Sequence, residues 1–270
     1  MVREQFKQTE KLYHFTSFDT ALKIMDSKCL KFGKLSNMND IHENDKIEFV
    51  DANNKPIKQF PTDLLEALHD EIHKYRQISL TTEGGNEDKL GFNLHQMWGL
   101  YADKAEGVCL VFDKKELMKK LEEDVISGRV SYDDTVESYY ISFSENPHDV
   151  PCEIKEQAKD IFFHKRKEWE HEQEFRLLKR CPYFDREEYL RFDNALKFII
   201  LSSKFCDIDK VRYYKYVKTI EDSAKGIPVL IYGNSLFYYS LDTANKEEQI
   251  WNSEEGYDIL LYKNNWELDL

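Results

Sequence analysis

The segment Trp169-Glu170-His171-Glu172-Gln173-Glu174-Phe175-Arg176-Leu177-Leu178 places two carboxylates, Glu172 and Glu174, where a charged stretch runs into alternating apolar residues. On a strand, that i, i+2 spacing puts both on one face at the mouth of a core. Carboxylates in such a place are costly unless they are paired or used. If they are used, their fixed negative charge can orient a sugar hydroxyl and stabilise an oxocarbenium ion as it develops. If they are paired, Arg176 two residues beyond Glu174 and Lys165 or Arg166 upstream make the segment a salt-bridged strand face. Local spacing leaves both open.

A second candidate lies in Leu12-Tyr13-His14-Phe15-Thr16-Ser17, which reads as a strand ending in hydroxyls. There a ligand could meet the His14 imidazole together with Tyr13, Thr16 and Ser17; the plainer alternative is a core or surface histidine, with Ser17 capping the next helix. Asn39, Asp40 and Glu43 sit in a polar stretch that favours a loop and could line a ligand pocket; Asp40, His42 and Glu43 could also bind a cation, although clustered polar residues in a loop are more often simply hydrogen-bonded. His69 and His73 have the i, i+4 spacing of metal ligands, yet Asp70 follows His69 where a zincin has Glu, so a solvated helix face fits better. Trp98 and Tyr101, at i and i+3, could stack on a base or pack in a core. No P-loop, G-x-G-x-x-G or G-x-S-x-G occurs, which disfavours ATPase, dinucleotide-fold and α/β-hydrolase chemistry.

The elements that must position these residues follow from periodicity. Ser17 or Asp19 caps a helix carrying Ala21, Leu22, Ile24 and Met25, and a short strand follows over 30–35. Leu64, Leu65, Leu68, Ile72 and Tyr75 predict an amphipathic helix over 62–76. A strand over 77–82 then carries Ser79 and Thr81, a helix is centred on 95–101, and Val108 to Phe112 forms a strong strand. Residues 115–126 and 153–171 read as helices, and 129–143 as two strands about the Asp133-Asp134 turn. Further strands are expected at 174–178, 197–202, 227–232, 235–241 and 257–263. Strands and helices without regular βαβ alternation argue for an α+β fold with mixed, mostly antiparallel sheets and flanking helices. The 270 residues are read as one domain, with 44–76 a candidate insertion.

With 38 basic against 51 acidic residues the chain carries −13, so bulk nucleic-acid and anionic-lipid binding are not expected. Five scattered cysteines without a C-x-x-C pair suit reduced thiols. The polar opening residues and the lack of a run of about 20 apolar residues lead to the expectation of a cytoplasmic protein that does not enter a membrane.

Four of these segments in order resemble the bacterial domain-of-unknown-function 2971 family. They are Leu12 to Ser17, then Asn39-Asp40 with Glu43, then Met97-Trp98-Gly99-Leu100-Tyr101-Ala102 leading into Gly107 to Phe112, and finally Trp169 with Glu172, Glu174 and Arg176, over roughly residues 10 to 205. The order of a strand-ending histidine, a hydroxyl-bearing strand and a late Glu-x-Glu is also similar to the ADP-ribosyltransferase superfamily. That resemblance implies a matching fold with NAD as substrate and no tightly bound cofactor or metal. It casts His14 on the nicotinamide ribose and adenosine side, Ser79 or Thr81 in support of the ring, Glu174 on the ribose 2′-hydroxyl and Glu172 as activator of the acceptor. The activities it implies are ADP-ribosyl transfer to a nucleotide or protein acceptor, or NAD hydrolysis, in a toxin or phage-defence effector. The alternatives are a non-catalytic nucleotide- or peptide-binding module and a metal-dependent hydrolase using Asp40, His42, Glu43 and Glu174.

Overall fold

The structure, a computed structural model, describes residue 6 and residues 9–35, 47–50, 61–84, 90–133, 139–142, 146–183, 185–202, 210–234, 248–252 and 257–261. In chain order the first elements are β1 (Lys11–Thr16), α1 (Phe18–Ser27), β2 (Cys29–Lys31), β3 (Gly33–Lys34), β4 (Ile47–Val50), α2 (Thr62–Ile72) and β5 (Tyr75–Thr82). The middle holds α3 (His95–Tyr101), β6 (Val108–Asp113), α4 (Lys114–Met118), β7 (Ile126–Arg129), β8 (Ser131–Tyr132) and β9 (Tyr139–Ser142). Next come α5 (Val150–Glu156), α6 (Ala158–Phe162), β10 (His164–Lys165), a 3₁₀ segment (Lys167–Glu172), β11 (Glu174–Arg180) and β12 (Tyr189–Arg191). The chain finishes with β13 (Leu196–Ser202), α7 (Lys210–Ala224), β14 (Val229–Asn234), β15 (Glu248–Asn252) and β16 (Tyr257–Leu261). Helices on a mixed, mostly antiparallel sheet make the fold α+β, as the patterning predicts.

The chain divides into two compact units, one of Met1–Cys29, Leu80–Lys120 and Arg191–Leu270, the other of Leu30–Ser79 and Leu121–Leu190. In the first unit the strand order is β15-β16-β14-β13-β6-β1, and the end of β5 joins β1 through the pairs Leu12↔Thr82 and Tyr13↔Thr81. All six residues of β6 are buried, which is why Val108 to Phe112 reads as a continuous apolar run rather than an alternating one. β13 and β14 pair in parallel, and a parallel pair needs a crossover, which α7 supplies. Along β1, Tyr13 and Phe15 face an aromatic core with Phe92, Trp98, Phe198 and Tyr232. The period of a strand sends His14 to the opposite face. Ser17 does cap α1, its side chain accepting from the Thr20 N–H. The same helix buries Ala21, Ile24 and Met25 and meets α7 where the Phe18 and Tyr216 rings approach to 4.0 Å.

Gly107, just before β6, is where two backbones meet. A Cβ there would stand 2.2 Å from the Thr16 carbonyl oxygen and 2.8 Å from the Ala102 carbonyl carbon. Neither is a side-chain tip that can swing away, so Gly107→Ala is expected to destabilise by roughly 1–3 kcal/mol through overpacking. The denaturant midpoint measures this, and an unchanged midpoint would mean that the approach relaxes without cost.

In the second unit β5 pairs antiparallel with β3 and lies beside β11, which pairs antiparallel with β7. Its core brings Leu64 and Leu68 of α2, Val150 and Ile154 of α5, and Ile161 and Phe162 of α6 onto Tyr75 and Leu178. Buried Glu71 of α2 takes the Arg180 guanidinium on both oxygens and Lys74 at 3.1 Å, tying helix to sheet.

Three expected helices change. The 62–76 helix ends at Ile72, and Tyr75 already belongs to β5. The 115–126 helix stops at Met118, because Ile126 to Arg129 are drawn into strand pairing with Leu178 to Phe175. The 153–171 helix breaks at Gln157 and ends at Phe162. Beyond it, His164 and Lys165 pair with Ser131 and Tyr132, and the Phe163 carbonyl accepts from the Ser131 N–H at 2.8 Å. A pairing partner thus overrides helical spacing in a run of aromatic and branched residues with modest helix propensity. The expected strand over 235–241 and part of the expected insertion, residues 44–46 and 51–60, lie outside the described residues.

Candidate functional site

Glu172 and Glu174 do come together, though not in the way strand alternation implies. β11 begins at Glu174; Glu172 closes the 3₁₀ segment, and Gln173 between them has a left-handed backbone with φ 47°. What gathers the two carboxylates is Lys165, whose Nζ lies 2.6 Å from Glu172 Oε2 and 2.9 Å from Glu174 Oε2. Arg176, two residues along the same strand face, forks onto Glu174 with Nε and Nη2, each at 2.9 Å. Its Nη1 also donates to the Phe162 carbonyl at the end of α6, so the guanidinium pins that helix to β11. All four side chains are at most 8% exposed, and two cations balance two anions.

Ser79 of β5 adds a hydrogen bond to the Glu174 carboxylate and accepts one from Gln77 Nε2 at 3.1 Å. Ser79 is itself exposed, so the cluster reaches the surface through that hydroxyl. Burial pushes the Glu174 carboxyl upward, but the charges of Arg176 and Lys165 and the hydrogen bonds from Arg176 and Ser79 outweigh it and bring it down to about 2. The two Arg176 nitrogens, Lys165 and Ser79 present four donors to a carboxylate with about four lone-pair sites, leaving Glu174 saturated. The Glu174 backbone N–H donates to the Tyr132 hydroxyl at 2.8 Å. Burial raises the Tyr132 phenol, and the charges of Glu174 and Glu172 add to that, so it stays protonated. Burial and the Arg176 charge lower the neighbouring His164 against the pull of Asp160 and Asp133. Trp169 lies under Lys165, 5.5 Å from ring centre to Nζ, and stacks with His171 at 6.0 Å between centroids.

The other expected site residues sit elsewhere. His14, half-buried on β1, belongs to the first unit, whereas Ser79, Glu172, Glu174 and Arg176 belong to the second. Tyr13 is buried and donates its hydroxyl to Glu83 at 2.8 Å, alongside Lys11 at 3.2 Å. Thr16 and Thr81 are buried in their strands, and Ser17 is the cap of α1. Trp98 is a core residue: its indole donates to the Phe92 carbonyl at 2.7 Å and it stacks on Tyr232 with the rings 16° apart. Tyr101 packs against the same core. Trp98 meets Phe15 edge-on at 5.2 Å, so it lies on the face of β1 away from His14. Asn39, Asp40 and Glu43 lie outside the described residues. His69 and His73 bring their rings to 4.0 Å on the exposed side of α2. No group of three or more His, Cys, Asp or Glu among the described residues is placed to hold a metal ion.

Two features escaped the sequence reading. Lys165 appears there as one optional salt-bridge partner and not as the hub, and only the β10–β8 pairing fixes which upstream cation turns inward. The second is a network in the first unit, where the Tyr232 hydroxyl meets Asn93 Oδ1 and lies 3.0 Å from His95 Nε2. Tyr232 is far in sequence from both Asn93 and His95, so no local spacing announces the contact.

The fold and cluster thus define an α+β protein with a charge-balanced, buried Lys-Glu-Glu-Arg group at a sheet mouth. Residues 97–177 match the family described as "Protein of unknown function (DUF2971)". The match runs from α3 to β11 and takes in Trp98, Lys165, Trp169, Glu172, Glu174 and Arg176, but it is shorter than the span from about residue 10 to 205 suggested by the motifs. No curated protein and no solved structure matches the chain. No described helix is long and apolar enough to cross a membrane.

Proposed function

We propose that the chain is a ligand-binding protein with a nucleotide, such as NAD, as its ligand, and that the Lys165–Glu172–Glu174–Arg176 cluster is the scaffold of the site rather than its reagent. The observation that carries this is the saturation of Glu174. A carboxylate whose lone pairs are taken by Arg176, Lys165 and Ser79 has none left for a ribose hydroxyl. A neutral cluster also provides little net field for a developing cation. Around it stand groups suited to holding a nucleotide: a partly exposed Trp169–His171 stack for a ring and the exposed Ser79 hydroxyl for a polar group.

A second reading, NAD cleavage of the ADP-ribosyl-transfer class, draws on one observation. Ser79 and Glu174, the residues that the superfamily resemblance casts in neighbouring roles, are in hydrogen-bond contact, with Glu174 held ionised. One experiment separates the two. Titration calorimetry of the purified full chain with NAD is run beside chromatography for released nicotinamide, in wild type and Glu174→Gln. Saturable binding without nicotinamide release is expected. Release that vanishes in Glu174→Gln would establish the enzyme instead, and no heat with NAD or AMP would remove the nucleotide-binding reading.

A further inference from the structure

The short segment that closes the cluster carries three polar atoms that are shielded from solvent and have no hydrogen-bond partner among the described residues: Arg166 Nε, Trp169 Nε1 and His171 Nε2. Leaving such atoms unpaired forfeits their hydration without return. Their placement is local. Arg166 caps the 3₁₀ segment, and in a helix of three residues per turn Trp169 falls on the same side. The Trp169 backbone N–H donates to the Arg166 carbonyl at 3.0 Å, and the Trp169 and His171 rings stack.

Their chemistry is also fixed. Arg166 Nε and Trp169 Nε1 only donate. His171 Nδ1 lies 2.9 Å from the Glu168 carbonyl oxygen, which only accepts, so Nδ1 carries a proton, and in the neutral imidazole Nε2 then presents a lone pair. The segment therefore offers two donors beside one acceptor. An inorganic anion, which only accepts, complements two of the three; a flat edge with an acceptor next to an N–H donor complements all of them.

We infer that Arg166, Trp169 and His171 form a subsite for the donor–acceptor edge of a planar ligand, a primary carboxamide or the amino edge of a purine, with the acceptor taken by the Trp169 and Arg166 N–H groups and the ligand N–H given to His171 Nε2. This rests on the ligand-binding reading and names the part of the ligand that docks there. Both rings are partly exposed while their nitrogens are shielded, so a ligand reaches these atoms when the two side chains shift outward.

The test follows the Trp169 indole N–H in a ¹⁵N spectrum of the full chain, its resonance identified by its loss in Trp169→Phe. The probes are benzamide, benzoate and adenine, which differ in the edge they offer. Benzamide or adenine should shift this resonance saturably and at a lower concentration than benzoate, which satisfies two of the three atoms; of these two, a response to benzamide alone assigns a carboxamide, and to adenine alone a nucleobase. His171→Phe keeps a ring in the stack and removes the acceptor, so the affinity of the active probe should fall about tenfold, as for one lost hydrogen bond. A resonance unmoved by all three probes, or moved equally by benzamide and benzoate, overturns the subsite. NAD measured on the same sample keeps the two readings apart, since NAD binding with a silent indole sinks the subsite and leaves the proposed function standing.

Discussion

Replacing Arg176 by Ala is expected to lower the unfolding free energy by about 3–5 kcal/mol, the range for breaking a buried ion pair by removing one partner. Arg176 is 1% exposed and makes three contacts at once: two to Glu174 and one to the Phe162 carbonyl that ends α6. Its loss leaves Glu174 buried with Lys165 as the remaining cation of the cluster, and Lys165 is shared with Glu172. It also strips the end of α6 of a donor, at a place where helix carbonyls otherwise go unpaired. Arg176→Lys keeps the charge but loses the two-pronged geometry, so it should fall between wild type and Ala. The double change Glu174→Gln with Arg176→Met should recover much of the loss, because the net worth of a buried pair is far smaller than the cost of half of one. A double-mutant cycle read from urea midpoints should therefore give a coupling toward the top of roughly 0.5–3 kcal/mol. A wild-type midpoint in Arg176→Ala would show that the clamp stabilises nothing.

How far the sequence reaches is clearest at this cluster. Adjacent apolar residues made β6 and β13 legible, because strands buried on both faces write themselves as apolar runs, whereas β11 was legible from its alternation. The salt-bridged alternative for Glu174, with Arg176 at i+2 and Lys165 upstream, is the arrangement the fold adopts. The geometry behind it was not legible. Glu172 shares no strand with Glu174, and a left-handed Gln173, unremarkable in sequence, turns the chain so that Lys165 can collect both. The contact of Ser79 with Glu174 depends on β5 lying beside β11, a long-range choice that period-2 patterning cannot encode. Likewise α7 hides in a segment rich in charge and tyrosine. Its apolar positions Val217, Ile220 and Ala224 do recur at helical spacing, but its necessity comes from the parallel β13–β14 pair it has to bridge.

Acid should undo the same cluster in a defined window. Glu174 ionises near 2 in the folded chain, where burial is outweighed by Arg176, Lys165 and the hydrogen bonds of Arg176 and Ser79, against about 4.3 for an unperturbed glutamate. A lowered folded value means that the unfolded chain binds the proton more readily, so the stabilisation is fully present above about pH 4.3 and is lost as pH falls toward about 2. At 1.36 kcal/mol per pH unit the difference corresponds to about 3 kcal/mol. Glu71 acts in the same direction: burial opposes it, but the hydrogen bonds and charges of Arg180 and Lys74 hold its carboxyl below the usual value. Urea unfolding from about pH 6 down to about pH 2.5 should therefore show wild type losing stability steeply below about pH 4. Glu174→Gln separates the contribution of Glu174 from that of Glu71. The variant starts less stable, because Arg176 and Lys165 keep their charges while Glu172 is the one cluster carboxylate left. It has no proton to gain at this position, so its curve should be flatter and the gap to wild type should close toward the acid end. A gap that stays constant across the window would place the acid-sensitive carboxylate elsewhere and leave the ionised state of Glu174 without thermodynamic weight.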